Sequence, residues 1–225
     1  MHGIIFDVDG VIADTEPVNA QASIRMFKEL FGVDNVKRSD FEAGLGRGAE
    51  AYILAAAQVH SLSLSEKQLK QAALARQKNI IALLEASPLP AFPGVTRLME
   101  TAFADKQFKL AIATSGSREI SGAILKSAQI PLEHMVRVTG SDVTHKKPHP
   151  EIFLTACKRM QLRPSSCLVI EDAPNGVKAA NAAGCKCIAV TNSVTADKLV
   201  GADLIVSSLK DISPDTVSEL IIHSK

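Results

Sequence analysis

The chain is poor in aromatic residues and carries almost no net charge. Its 225 residues include no tryptophan and one tyrosine, and the formal net charge at pH 7 is +1. Surfaces that bind nucleic acids usually combine clustered positive charge with aromatic rings on which the bases stack. Hydrophobic residues nevertheless make up 46% of the chain, which is enough for a sizeable core. We therefore expect a globular protein with no nucleic-acid partner.

Long apolar runs and a disulfide framework are also missing. No apolar stretch approaches the roughly 20 residues that a membrane-spanning helix needs, and the N-terminus lacks the basic and apolar regions of an export signal. We therefore expect no membrane partner and a cytoplasmic location. The cysteines fall within helix and strand patterns, which is typical of small buried apolar side chains rather than of a zinc site or disulfides. They are Cys157, Cys167, Cys185 and Cys187.

Helical periodicity dominates the first third of the chain after a short apolar run. Apolar residues recur at helical spacing over residues 20–31, and Gly32 then predicts the end of a helix. Similar patterns predict helices over residues 49–60 and 65–84. Because no strand pattern occurs between residues 14 and 85, this block is predicted to be all-helical.

Strands and helices alternate after a proline-rich linker at residues 87–94. Such alternation predicts an α/β fold, a doubly wound parallel sheet with helices on both faces. The first apolar run precedes the helical block and belongs to the same sheet, so the block is an insertion. We expect a core domain of residues 1–13 and 90–225 and a helical domain of residues 14–89. The later strand-like runs are 109–113, 135–139, 167–170, 185–190 and 204–206.

Two aspartates stand at the end of the first apolar run. Asp7 and Asp9 are separated by one residue and are followed by Gly10, which allows a sharp turn. On an ideal strand this spacing turns both side chains to the same side. Buried carboxylates are costly unless a cation or hydrogen bonds compensate their charge. The pair therefore indicates a metal or phosphoryl-transfer site, with a turn or helix-capping aspartate as the structural alternative.

Further polar groups follow the other predicted strands. Residues 114–117 supply hydroxyl groups and backbone N–H groups, and Glu171 and Asp172 end a later strand. A loop at residues 145–150 supplies Lys147 between two histidines, which we interpret as solvated loop residues. Because the carboxyl ends of parallel strands meet at one edge of the sheet, all these groups are expected to form one site.

Four motifs carry a family resemblance that extends over nearly the whole chain. In their order and spacing the chain resembles the haloacid dehalogenase superfamily, in the branch that includes β-phosphoglucomutase and small sugar-phosphate phosphatases. The resemblance implies a Rossmann-like core with an inserted helical cap of the C1 type. The motifs are D-V-D-G-V from Asp7, A-T-S from Ala113, K-P-H-P from Lys147 and E-D-A-P-N-G from Glu171.

The resemblance implies a division of roles between the two aspartates. Asp7 would attack phosphorus and form an aspartyl-phosphate, and Asp9 would act as general acid for the leaving group and then as base for water. The dehalogenases of the superfamily lack this second acid, because cleavage of a carbon–halogen bond needs no protonation of an alcohol. The presence of Asp9 therefore favours phosphoryl transfer over dehalogenation.

Mg²⁺ is the implied cofactor. A hard dication with oxygen ligands would relieve the repulsion between a phosphoryl group and the carboxylates. The resemblance assigns to it the Asp7 carboxylate, the backbone carbonyl of Asp9 and the Asp172 carboxylate, with Glu171 as an additional or water-mediated ligand. Glu171 and Asp172 also precede Pro174, so that a helix-capping role is compatible with metal binding.

Phosphate is expected to bind at the loop after the second strand. Thr114 offers a hydroxyl group, and Ser115 and Gly116 offer backbone N–H groups near a predicted helix start, which suits phosphate oxygens. Helix capping by a serine of this loop is the alternative. Lys147 would neutralise the nucleophile and the phosphate, with the neighbouring Lys146 as the competing candidate.

Specificity is expected to come from the helical domain. Arg47, in the glycine-rich segment 44–48, is a candidate for binding a substrate oxyanion, against the alternative of a solvated arginine. Arg76 interrupts the apolar face of the last helix of this block and is a second candidate. β-Phosphoglucomutase carries a histidine just past the corresponding Asp-Thr pair, where this chain has Asn19.

These features together predict a Mg²⁺-dependent phosphatase of a small phosphorylated metabolite, such as a sugar phosphate. The absence of the mutase histidine favours a simple hydrolase, while a hexose-phosphate mutase is the alternative. A non-catalytic module that binds sugar phosphate is a further alternative, against which the complete set of acids and Lys147 argues. We expect a monomer.

Overall fold

The chain folds around one parallel sheet. The computed structural model describes residues 1–44 and 48–222. Its strands are β1 (His2–Phe6), β2 (Phe108–Ala113), β3 (Val136–Val138), β4 (Cys167–Glu171), β5 (Lys186–Val190) and β6 (Leu204–Val206). Within the described residues they form a six-stranded sheet in the order β3-β2-β1-β4-β5-β6, with every adjacent pair parallel. The predicted doubly wound α/β fold is confirmed.

Helices cover the sheet and form the insertion. They are α1 (Glu16–Phe31), α2 (Ala49–Val59), α3 (Glu66–Ala86), α4 (Val95–Ala104), α5 (Arg118–Ser127), α6 (Glu151–Met160), α7 (Pro174–Ala183) and α8 (Pro214–Ile222). Short 3-10 helices lie at Arg38–Gly44, Pro164–Ser166 and Ala196–Lys198. In the described ranges, none of the helices combines the length and the apolar character that crossing a membrane requires.

The helix ends follow from local sequence. Ser65 caps α3, since its hydroxyl accepts a hydrogen bond from the Gln68 N–H at 3.3 Å, as is usual for serine at this position. Gly32 ends α1 in the left-handed conformation, with φ of 68°, which glycine adopts without steric cost. The 3-10 helix Arg38–Gly44 was not predicted, because a segment this short gives no clear apolar periodicity.

Alternate residues of β1 face opposite sides of the sheet. Ile4 and Phe6 lie in an apolar cluster with residues of α4, α5 and α8, whereas Ile5 lies in a second cluster with residues of α6 and α7. All three side chains are fully buried. A central strand that is covered on both faces explains why the sequence shows a continuous apolar run here rather than an alternating pattern.

Helices α1, α2 and α3 form a layer with its own apolar cluster. Its buried aromatic residues include Phe27, Phe41 and Tyr52. The chain enters and leaves this layer at adjacent points, since the Phe92 N–H donates to the Ile12 carbonyl at 2.7 Å. The layer also contacts the core through packing of α3 against α5. The domain limits given above remain a prediction.

Phe27→Ala should strongly destabilise the helical layer. Phe27 has no exposed surface, and its ring centroid lies 5.6 Å from that of Phe31 and 6.1 Å from that of Phe41. The cavity left by the ring should cost about 3–5 kcal/mol of unfolding free energy. Phe103→Ala is the control, because that side chain is 52% exposed and its loss should cost less than about 1 kcal/mol. Urea unfolding followed by circular dichroism compares the two; equal losses would contradict this packing.

Candidate active site

The carboxyl ends of the central strands meet at one edge of the sheet and bring the candidate residues together. Asp7 directly follows β1 and continues its pairing with β4, since its N–H donates to the Ile170 carbonyl at 3.0 Å. Thr114 follows β2 in the same way and donates its N–H to the Val138 carbonyl at 3.1 Å. Asp172 follows β4. The sheet thus fixes the backbone positions from which these side chains extend.

Lys147 forms the central ion pairs of the site. Its Nζ atom lies 2.5 Å from Asp7 Oδ1 and 2.6 Å from Glu171 Oε1. All three side chains are buried, and the same ammonium group lies 5.0 Å from the centroid of the Phe153 ring. Lys146 is exposed. Of the two candidate lysines, the structure therefore places Lys147 against the predicted nucleophile.

Burial and charge oppose one another in this group. Burial raises the pKa of Asp7, although the charge of Lys147 acts in the opposite direction. Burial alone would lower the pKa of Lys147, but the charges of Asp7 and Glu171 outweigh it and raise that pKa. Burial, together with the charges of Glu171 and Asp7, raises the pKa of Asp172 well above its usual range. One protonated lysine thus lies among three carboxyl groups, and its charge favours their ionised forms while burial disfavours them.

The acids have the arrangement and chemistry of a metal site. Asp7, Glu171 and Asp172 each offer a carboxylate oxygen within 4.8 Å of the others, and all three are buried. Three buried carboxylates with one lysine leave an excess of negative charge that a dication would compensate. An oxygen-only donor set is the kind that Mg²⁺ prefers. The residues present therefore fit the predicted Mg²⁺ ion.

Glu171 accepts three hydrogen bonds from its surroundings. Its Oε1 accepts from Lys147, and its Oε2 accepts from the N–H groups of Asp172 at 3.0 Å and Ala173 at 3.1 Å. A Cβ atom on Gly176 in the first turn of α7 would lie 1.8 Å from the Glu171 Cδ atom, so glycine makes room for this carboxylate. The two N–H groups belong to residues that precede α7, and its N-cap residue Ala173 forms no side-chain cap hydrogen bond. Both the capping role and the metal-ligand role of Glu171 remain predictions.

The turn after β1 makes room for Asp172. Gly10 has φ of +74°, and a Cβ atom there would lie 1.8 Å from Asp172 Oδ2. The loop after β5 completes this side, because the Ser193 hydroxyl donates to Asp172 Oδ2 and Asn192 Nδ2 donates to the Gly10 carbonyl at 2.8 Å. Ser193 and Asn192 were not predicted. They also follow a parallel strand, so inspection of every strand end would have found them.

Asp9 lies apart from the three grouped carboxylates. Its Oδ1 accepts a hydrogen bond from the Thr15 hydroxyl at 2.6 Å, and its Oδ2 lies 3.9 Å from the place of a Cβ atom on Gly116. Both aspartates follow β1, which ends at Phe6. The charge of Asp9 helps to raise the pKa of Asp7, so the two carboxylates lie within electrostatic reach of each other.

The predicted phosphate loop lies at the start of α5. Thr114 is buried, and its hydroxyl accepts the Gly116 N–H at 3.1 Å. Ser115 is half-buried between them. Ser117 caps α5, because its hydroxyl accepts the Ile120 N–H at 3.3 Å. The capping alternative is thus correct for Ser117, and a phosphate role for the three residues before it remains a prediction.

A chain of hydrogen bonds connects the helical layer to Asp9. Arg76 is buried and donates to Asn19 Oδ1 at 2.7 Å and to the Ser23 hydroxyl at 2.9 Å. Asn19 Nδ2 in turn donates at 3.5 Å to Thr15, whose hydroxyl contacts Asp9. Thr15 was not predicted, because a hydroxyl in a turn gives no signal of its partner. The other arginine candidate, Arg47, lies outside the described residues.

The chain matches known proteins over most of its length. A family model described as haloacid dehalogenase-like hydrolase matches residues 4–190, which include Asp7, Lys147 and Asp172. The chain is 32% identical over 214 residues to validoxylamine A 7'-phosphate phosphatase from Streptomyces hygroscopicus subsp. limoneus, covering 92% of this chain and 94% of that protein. It is 32% identical over 189 residues to fructose-1-phosphate phosphatase YqaB from Escherichia coli strain K12, covering 81% and 92%.

A much longer relative and a solved structure add to these matches. The chain is 33% identical over 220 residues to Protein SUPPRESSOR OF QUENCHING 1, chloroplastic, from Arabidopsis thaliana, but spans only 20% of that protein. A structure of mutant CbbY from Rhodobacter sphaeroides in complex with xylulose-(1,5)bisphosphate has a TM-score of 0.85 at 26% identity, covering 96% of this chain and 99% of that one. The chain therefore belongs to the haloacid dehalogenase-like hydrolase family, in the branch of sugar-phosphate phosphatases.

Proposed function

We propose that the protein is a Mg²⁺-dependent phosphatase that hydrolyses a small sugar phosphate through an aspartyl-phosphate. The observation that carries this proposal is the buried contact of Lys147 with Asp7, beside Asp172, at the carboxyl edge of the sheet. Relatives named as phosphatases of validoxylamine A 7'-phosphate and of fructose 1-phosphate support the substrate class. The sugar bisphosphate bound to CbbY supports it as well.

Asp7 would supply the nucleophile. Lys147 holds its Oδ1 atom, and in the described part of the chain its Oδ2 atom accepts no hydrogen bond and is available for attack. A bond forms between Oδ2 and phosphorus while the bond from phosphorus to the sugar oxygen breaks. Water then attacks phosphorus, the bond to Oδ2 breaks, and free phosphate and the Asp7 carboxylate result.

Asp9 would move the proton in both steps. The protonated side chain gives its proton to the leaving sugar oxygen, and the resulting carboxylate accepts a proton from the attacking water. The hydrogen bond from Thr15 orients Oδ1 at 2.6 Å and leaves Oδ2 on the side of the Thr114–Gly116 loop. Because Arg76 and Asn19 support Thr15, the helical layer positions the proton-transfer group.

Mg²⁺ would be held by the side chains of Asp7 and Asp172 and by the backbone carbonyl of Asp9. When bound, it neutralises charge on the phosphate and the carboxylates during the transfer. Glu171 would support this group indirectly, because its carboxylate holds Lys147 and two backbone N–H groups. Its role would therefore be that of a positioning residue.

The substrate phosphate would bind between Lys147 and the loop that starts at Thr114. Lys147 provides a buried positive charge, while the Thr114 hydroxyl and the Ser115 N–H would provide neutral donors beside a helix start. The Gly116 N–H, which donates to the Thr114 hydroxyl in this structure, would exchange that partner for a phosphate oxygen. The helical layer would cover this site, since Ser117 at the start of α5 donates to Gln77 Oε1 of α3 at 2.9 Å. Covering the site would exclude bulk water from the phosphate.

Hydrolysis is favoured over mutase activity by the environment of Asn19. Its amide accepts from Arg76 and donates to Thr15. An amide cannot exchange protons as a histidine does, so this position offers no acid–base group that would control the phosphorylated enzyme. The observation supports transfer of the phosphoryl group to water.

We also propose that the enzyme works as a monomer in a reducing compartment such as the cytoplasm. The four cysteines are free and buried, and Cys157 Sγ and Cys185 Sγ lie 3.7 Å apart without a bond. Thiols of this kind suit a reducing environment and are typical of core residues.

Asp7→Asn should abolish release of phosphate from sugar phosphates in the presence of Mg²⁺. Loss of the nucleophile should lower kcat by at least about a thousandfold, while Asp14→Asn, which alters an exposed aspartate of the same segment, should leave it nearly unchanged. A colorimetric phosphate assay with fructose 1-phosphate and related monoesters measures both. Intact turnover in Asp7→Asn would contradict the mechanism. Conversion of β-glucose 1-phosphate to glucose 6-phosphate faster than phosphate release would identify a mutase instead.

Asp9→Asn should slow turnover and trap the intermediate. Loss of the general acid and base should lower kcat for sugar phosphates by about 100- to 10,000-fold. With p-nitrophenyl phosphate the leaving group needs little protonation, so the first step should proceed and the aspartyl-phosphate should accumulate. Intact-protein mass spectrometry after acid quenching detects this species, with Asp14→Asn as the control. Wild-type turnover in Asp9→Asn would be incompatible with the assigned role.

Asp172→Asn should remove stabilisation by Mg²⁺. At a concentration 100 times its Kd, an ion that binds only the folded protein adds about 2.7 kcal/mol to its stability. The wild-type protein should therefore show a rise in Tm with Mg²⁺ in differential scanning calorimetry, and Asp172→Asn should show little or none. Asp197→Asn changes an exposed aspartate and should keep the full rise. An equal Mg²⁺-dependent rise in all three proteins would exclude Asp172 as a ligand.

A further inference from the structure

A second group of metal-ligating side chains lies on the surface, and the proposed phosphatase mechanism does not use it. His145, His149 and Glu151 each place one ligand atom within 4.8 Å of the others. In the described ranges this is one of two such groups, and the other is the buried set of carboxylates. The surface group spans the loop that carries Lys147 and the first residue of α6.

The separations fit a small dication. His145 Nδ1 lies 2.9 Å and His149 Nδ1 lies 3.9 Å from the same oxygen, Glu151 Oε2. In a tetrahedral zinc site with bonds of about 2.0–2.1 Å, neighbouring ligand atoms lie about 3.3 Å apart. The two observed distances lie on either side of that value. Binding would need small rotations of these exposed side chains, and the ion would replace the proton that His145 Nδ1 shares with Glu151.

The carboxylate of this group is held in place and ionised. Glu151 accepts the backbone N–H groups of Thr144 at 2.8 Å and of His145 at 2.9 Å. These hydrogen bonds, together with the one from the His145 ring, lower the pKa of Glu151 to about 2. A fixed negative charge thus lies between two imidazole rings whose centroids are 4.6 Å apart.

Both imidazoles are accessible from solvent. The side chains of His145 and His149 are 63% and 51% exposed, so an ion can reach them without movement of the core. His149 Nδ1 accepts the Glu151 N–H at 3.3 Å, so it carries a lone pair, and an ion at this atom would replace that hydrogen bond. Water can occupy the remaining coordination positions on the solvent side.

We propose that His145, His149 and Glu151 form a surface site for a transition-metal dication such as Zn²⁺, separate from the Mg²⁺ site. Imidazole nitrogens favour Zn²⁺, Co²⁺ and Ni²⁺, whereas Mg²⁺ favours oxygen ligands. The three ligands flank Lys147 on both sides in sequence. An ion bound to them would tie together the two ends of the loop that carries this lysine.

Isothermal titration calorimetry with Zn²⁺ tests the site. The full chain is used without an added histidine tag and with saturating Mg²⁺, which occupies the carboxylate site. The wild-type protein should bind one Zn²⁺ ion that the double variant His145→Ala/His149→Ala does not bind. Each single variant, and Glu151→Gln, should bind at least about tenfold more weakly, because loss of even an outer-sphere partner of a metal site costs 10- to 100-fold.

His134→Ala is the matched control, since it removes an exposed histidine from another part of the surface. It should bind Zn²⁺ as the wild-type protein does. Equal Zn²⁺ binding by the wild-type protein and the double variant would overturn the proposal. Titration with Co²⁺ adds a spectroscopic readout: visible absorption bands should appear in the wild-type protein and be lost in the double variant. Bands that persist there would place the ion elsewhere and also overturn the proposal.

Discussion

The buried charge imbalance around Lys147 is the constraint on which the site depends. One ammonium group cannot compensate three buried carboxylates, and burying uncompensated charge is costly. The surrounding backbone is adapted to bring the acids close despite this cost. Gly10 and Gly176 leave space that a Cβ atom would occupy, and each adjoins one carboxylate. A site built in this way is arranged to receive a further cation, because a dication would relieve the repulsion that the fold imposes.

The helical layer contributes to the chemistry as well as covering the sheet. Hydrogen bonds run from Arg76 through Asn19 and Thr15 to Asp9. Arg76 is itself fixed by Ser23 and lies over the ring of Tyr52, with its Cζ atom 5.1 Å from the ring centroid. The position of the layer relative to the sheet therefore sets the orientation of Asp9. In the proposed mechanism, residues that shape the substrate pocket would also prepare the proton transfer, since both belong to the same packed unit.

The sheet and the position of most candidate residues could be predicted, because they follow from local sequence patterns and from the geometry of parallel sheets. Buried parallel strands appear as apolar runs, and polar residues at their carboxyl ends must share one edge. The preference for Lys147 over Lys146 agrees with the contacts of Lys147. Thr15 and Ser193 could not be recognised in the same way, because the partner of a hydroxyl depends on tertiary packing. The spacing argument for Asp7 and Asp9 assumed an ideal strand, whereas both residues lie beyond β1, which ends at Phe6.

The loop around Lys147 presents different chemistry on its two sides. Lys147 points inward to buried carboxylates, while His145 and His149 remain in solvent beside Glu151. An ion at the buried group exchanges part of its water for carboxylate oxygens, so its binding depends on the excess of negative charge there. An ion at the surface group keeps water ligands, so its binding depends on the imidazole nitrogens. The two sites would therefore differ in the metal they select and in the energetic term that limits binding, although both adjoin the same lysine.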